Sequence, residues 1–155
     1  MKVRALAIVL ALISVPAAAD KLAPVQQPAV QVTCDLIEIW GSHGKGGMDA
    51  AIGKSLASRL TSTLKQTEFK QLSTQSKTIE KKKPTTVKLG KGSATVNLIE
   101  TVDRSQARIT VDFTAAKGIK TSAQQLVSGN DWIVVAANQS KDPNPDAHIL
   151  AVSCK

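Results

Sequence analysis

Two cysteines constrain this chain more tightly than any other feature. Cys34 and Cys154 are its only thiols, they sit near opposite ends, and each lies in an apolar run of β-forming residues. In an oxidising compartment two lone cysteines most simply pair with each other. Such a bond ties the first and last strands of the fold together. It closes a loop of almost the whole domain, stabilising it by about 3–4 kcal/mol in the chain-entropy account. A reactive thiol would want a neighbouring His or a helix N-terminus, and a metal site further ligands at short spacing. Neither surrounds these two residues.

The compartment is itself written at the N-terminus. Lys2 and Arg4 precede an apolar run from Ala5 to Val15, Pro16 breaks it, and Ala17-Ala18-Ala19 follows. Basic start, short apolar stretch and small residues form the three-part pattern of a cleavable secretory signal over residues 1–19. The run falls short of the roughly 20 apolar residues that span a bilayer. No cysteine at the cleavage point offers an attachment site for lipid. Export to the periplasm or medium is therefore expected, with residues 20–155 as the mature chain.

Residues 20–31 hold two prolines and three glutamines and read as an extended lead-in. A single globular domain over 32–155 follows. With 43% hydrophobic and 21% charged residues, the composition excludes collagen-like and wholly disordered chains. Val32 to Trp40 is a strand pattern, and Gly41-Ser42-His43-Gly44-Lys45-Gly46-Gly47 a glycine-dense connection. Asp49 then stands as a cap for a helix to about Leu64, with Ile52, Leu56, Leu60 and Leu64 as its core stripe. Strand patterns follow over Phe69–Ile79 (solvated or edge), Thr86–Leu89 and Ala94–Val102, with Gly90-Lys91-Gly92 as a hairpin turn. Ala107, Ile109, Val111 and Phe113 alternate with polar residues as in a half-buried strand. The continuous apolar run Trp132–Ala137 reads as a central, doubly covered strand, and Ile149–Cys154 closes the chain. The expected fold is α+β: one N-terminal helix on a mostly antiparallel sheet, a sandwich or partly open barrel of six to seven strands.

Catalytic signals are missing from this pattern. The glycine-dense turn fails the spacing of a nucleotide loop, because Gly46 stands where Ser or Thr would hold magnesium. It leaves at most a modest anion site of Ser42, His43 and Lys45 before a helix N-terminus. Asp142, Asn144 and Asp146 begin like a calcium loop, but Ala147 and Ser153 occupy the positions of its glycine and glutamate. His43 and His148, the only histidines, belong to no short metal motif. No paired carboxylates or nucleophile elbow appear. Neither an enzyme, nor a cofactor, nor a metal is expected.

Charge says more. From Arg59 to Lys91 run Arg59, Lys65, Lys70, Lys77, Lys81, Lys82, Lys83, Lys88 and Lys91, opposed only by Glu68 and Glu80. The formal charge of +8, or +6 once Lys2 and Arg4 are removed, is concentrated there. Such a block suits an acidic partner. Phe69 is its one aromatic, which disfavours nucleic acid read by base stacking. A lysine-guarded sheet edge that resists aggregation is the simpler reading of the same block.

Ile37-Glu38-Ile39, then Ser42, Gly44, Gly46 and Asp49, a leucine-bearing helix and Phe69-Lys70 form a recognisable succession. It resembles a group of small exported bacterial proteins of unknown function, in which a glycine-rich turn and an Asp precede one amphipathic helix and a β-rich C-terminal half. Where many of that group carry prolines, this chain has Gln66-Thr67-Glu68. The resemblance implies the same α+β fold and no mechanism. The expected function is an exported, non-enzymatic interaction module of the envelope, with an envelope protein or acidic polymer as partner. The alternative is a weak binder of anionic ligands, through Lys81, Lys82 and Lys83 in the basic segment or through the glycine-rich turn.

Overall fold

A computed structural model describes residues 30–103 and 106–155 of the chain. The signal segment and all but the last two residues of the lead-in lie outside the described residues. The elements run β1 (Gln31–Ser42), α1 (Lys54–Thr63), β2 (Glu68–Glu80), β3 (Thr85–Lys88), β4 (Ser93–Thr101) and β5 (Gln106–Thr114). A single 3₁₀ turn (Ala116–Gly118), β6 (Lys120–Ser128), β7 (Ile133–Asn138) and β8 (Ala147–Cys154) complete them.

The eight strands form two four-stranded antiparallel sheets, ordered β2-β1-β8-β7 and β3-β4-β5-β6. We call them the first and second sheet. One face of the first sheet packs on the second, through Cys34, Leu36, Ile79, Leu150 and Val152 against Val96, Leu98, Ile109, Val111 and Phe113. Its other face is covered by α1, where Ile52, Leu56 and Leu60 meet Ile39, Phe69, Ile149 and Ala151. The layers are therefore helix, sheet, sheet.

This layering explains the residue patterns. The second sheet has one solvated face, so β5 alternates strictly between core and surface. The first sheet is covered on both faces, and its inner strand β8 is buried along its whole length. The helix has only ten residues, Gly53 at its N-cap without a side-chain cap, and no acid in its first turn. A helix so short is held by packing, not by its own propensity. Replacing Leu56 or Leu60 by Ala would cost about 2–5 kcal/mol.

Four expectations need correction. The helix is not N-terminal, since β1 precedes it. Asp49 does not cap it: its carboxylate instead accepts hydrogen bonds from the amides of Ala51 (3.0 Å) and Gln71 (3.1 Å), tying the connection to β2. The strands number eight, against the six to seven expected, the additional one being β6; at the edge of its sheet it turns only Ala123 and Val127 inward and so carries little apolar alternation. The apolar run at β7 lies at a sheet edge and not in its centre, where β1 and β8 sit. Its apolarity has another cause: the second sheet covers one face, and its other face packs into the helix-side cluster.

Candidate interaction surface

Cys34 and Cys154 stand directly opposite each other on β1 and β8 and form a disulfide, Cα to Cα 4.0 Å. Thr33 and Lys155 beside them exchange both backbone hydrogen bonds, so the cysteines occupy the narrow, non-hydrogen-bonded position of the ladder. A bonded cysteine pair in a β-rich fold is compatible with an oxidising compartment. No helix among the described residues is long and apolar enough to cross a membrane.

At the other end of the same strand pair the interior turns polar. Glu38 shares the inward face of β1 with Cys34 and Leu36, yet it is fully buried. Its Oε2 accepts from the Ser73 hydroxyl (2.7 Å) and the Gly90 amide (2.7 Å). Its Oε1 accepts from the Lys91 amide (2.8 Å) and lies 2.8 Å from Nε2 of His148, also fully buried. The Ala116 amide donates to Nδ1 of His148 (2.8 Å), so the ring proton resides on Nε2 and points at the carboxylate. Burial alone would raise the Glu38 pKa. The donations from Ser73, Lys91, His148 and Gly90 outweigh it and hold the carboxyl below its ordinary value.

A bulge makes this arrangement possible. The β1–β2 register shifts after Glu38, leaving Leu72 as the extra residue, so Ser73 faces the interior while Phe69 faces the helix. Although Ser, Glu and His lie together, the carboxylate sits between the other two. The serine donates to Glu38 and the imidazole has no route to its proton, unlike a nucleophile–base–acid relay. The network instead pins the β3–β4 turn onto β1 and β8.

That turn completes a basic flank. The outer edges of β2 and β3 lie on the same side of the sandwich: the Lys82 amide bonds to the Leu98 carbonyl, and the Gln75 side chain reaches the Lys88 carbonyl (3.4 Å). Lys70 and Lys77 on β2, Lys81–Lys83 at the corner, Lys88 on β3 and Lys91 in the turn all belong to this flank and are exposed. Only Lys83 has an ion-pair partner among the described residues, Glu80 at 3.5 Å. The Lys91 ammonium lies 5.2 Å from the Trp40 ring centre, whose indole N–H donates to Asp146 (3.2 Å).

The other basic residues of the segment separate from it. Arg59 sits on α1 and Lys65 in the connection after it. The glycine-rich turn is also remote from Lys81–Lys83: Ser42 pairs with Glu68 at one end of β1, while Gln31 at the other end pairs with Glu80, beside those three lysines. Twelve residues of strand put roughly 36 Å between those ends. Nor does the turn abut the helix N-terminus, as the anion reading needs, since residues 48–53 intervene. Its glycines leave room for Glu68, whose carboxylate a Cβ on Gly44 or Gly46 would strike. Exposed His43 lines a cleft of about 390 Å³ with Lys65 and Lys141, a lining that includes neither Ser42 nor Lys45. Asp142 accepts from Ser140 (2.7 Å) and Asp146 from Trp40, which is how the proline-rich loop is held.

Glu38, Ser73 and His148 were not singled out as a group from the sequence. One signal was available, a charged residue at an inward position of an otherwise apolar strand. Known protein families, curated proteins and solved structures offer no match to this chain.

Proposed function

We propose that this chain is an exported, non-enzymatic interaction module, periplasmic or secreted, that docks an acidic partner through the β2–β3 flank. One observation carries the reading: folding gathers Lys70, Lys77, Lys81, Lys82, Lys83, Lys88 and Lys91 along two adjacent sheet edges, and among the described residues only one of them has an ion-pair partner. Uncommitted ammonium groups on a rigid edge attract a polyanion without having to break internal pairs first. The Glu38 network supports the reading by fixing the backbone of Gly90 and Lys91. Lysine in place of arginine, and a single aromatic, Trp40, shown against these lysines among the described residues, favour an acidic polysaccharide or protein over single-stranded nucleic acid.

Heparin retention tests it. The purified mature chain should stay bound above physiological salt, and a Lys81→Ala/Lys82→Ala/Lys83→Ala variant should elute at clearly lower salt with an unchanged unfolding midpoint. Equal elution of the two proteins would remove the flank from consideration.

A further inference from the structure

On the side of the sandwich away from the lysine flank, α1 and the β6–β7 turn border an open cleft of about 520 Å³. Its size is that of a small-ligand site. Ser55, Ser58, Arg59 and Ser62 line one wall, at spacings that place them on a single helix face. The other wall carries Asn130, Asp131 and Trp132. The turn is rigidly made: the Asp131 amide donates to the Ser128 carbonyl (2.9 Å), and its carboxylate accepts from the Ser128 hydroxyl (2.6 Å).

Three features set this cleft apart. Aromatics make up only 3% of the chain, yet one of its two tryptophans lies here among polar side chains. Trp132 packs against the helix-side core while remaining part of the cleft wall, so the indole is anchored and still presents apolar surface. Arg59 has no ion-pair partner among the described residues, which leaves a planar five-donor group uncommitted. An aromatic surface beside hydroxyls, an amide and a carboxylate matches a saccharide, whose C–H faces stack on indole and whose hydroxyls both donate and accept. A free guanidinium adds a fork for a carboxylate.

We propose that this cleft is a saccharide site that takes a sugar unit bearing an acidic group. Trp132 stacks on the ring, Asp131, Asn130 and the helix serines hold its hydroxyls, and Arg59 holds the acid. The site is independent of the lysine flank and stands or falls separately.

A Trp40→Phe background makes Trp132 the only indole, so its emission reports the cleft directly. Titration with tetragalacturonate should shift or quench that emission saturably, with maltotetraose binding at least tenfold more weakly. Arg59→Ala should weaken tetragalacturonate at least tenfold and remove its advantage over maltotetraose, while Lys81→Ala/Lys82→Ala/Lys83→Ala leaves the response unchanged. Arg59 is exposed, so an unchanged unfolding midpoint is expected and checks that the fold survives. No response to millimolar tetragalacturonate, equal affinity for the neutral sugar, or a response lost in the lysine variant and kept in Arg59→Ala would each overturn the proposal.

Discussion

β1 and β8 are fastened at both ends of their shared inward face, and by opposite means. At one end Cys34 and Cys154 are joined covalently; at the other, Glu38 and His148 are joined through a carboxylate that takes four hydrogen bonds. The disulfide acts largely by restricting the unfolded chain, so it depends on redox conditions and hardly on pH. The Glu38 network acts in the folded state, around a carboxylate and an imidazole that are themselves fully buried. It joins four segments, β1, β2, the β3–β4 turn and β8, whereas the disulfide joins two. A buried polar cluster is thus the more demanding fastening: satisfied, it fixes a turn; broken, it leaves several orphan donors.

Glu38→Ala should have the largest effect, since it strands the His148 ring proton, the Ser73 hydroxyl and two turn amides at once. A loss of about 3–5 kcal/mol in urea unfolding is expected. Glu38→Gln, which keeps the shape and turns an amide group toward the same donors, should lose less but still be destabilised. A Glu38→Gln protein as stable as the parent would show that the charge contributes nothing.

Removing the disulfide through Cys34→Ala/Cys154→Ala should cost about 2–4 kcal/mol, and the parent treated with reductant should lose a similar amount. Ellman titration of denatured, unreduced protein should find no free thiol; two would refute the bond.

Gly92→Ala probes the polar end from the side. A methyl there would sit 2.5 Å from the Thr114 carbonyl oxygen and 3.2 Å from Cε1 of His148. Overpacking of this kind costs about 1–3 kcal/mol. A thermal midpoint equal to the parent's would mean that the turn is not held as described.

The smallest effect expected is that of pH. The Glu38 pKa is depressed from about 4.5, so its contribution is complete above the unfolded-state value and disappears as pH falls through the folded one. Stability should therefore be level near neutrality and decline in acid. Glu38→Gln should flatten that decline, and the cysteine variant should keep it. Matching acid profiles for the parent and Glu38→Gln would separate the carboxylate from acid unfolding.

Local pattern made much of this fold legible. Val111 and Phe113 alternate with Asp112 because one face of their sheet meets water, and that alternation is visible in a few residues. Leu56 and Leu60 likewise declare the buried side of α1. Edge strands were harder. β6 reads as polar because an edge strand of a one-sided sheet needs only Ala123 and Val127 inside. β7 reads as central because coverage by other layers makes a strand apolar whether or not it has neighbours on both sides.

The candidate surfaces show the same division. That seven lysines fall close together in sequence is plain, but their sharing of one flank depends on which edges of the two sheets coincide. Arg59, counted with them by position, faces a different cleft. The alternation, the short helix, the charge excess and the two cysteines available to pair are properties of neighbouring residues or of composition, and so are legible in the sequence alone. The meeting of Glu38 with His148 across 110 positions, and of Trp132 with Arg59 in one cleft, arises from folding alone. Those meetings depend on strand register and layer order, which the whole chain sets at once and no single segment records.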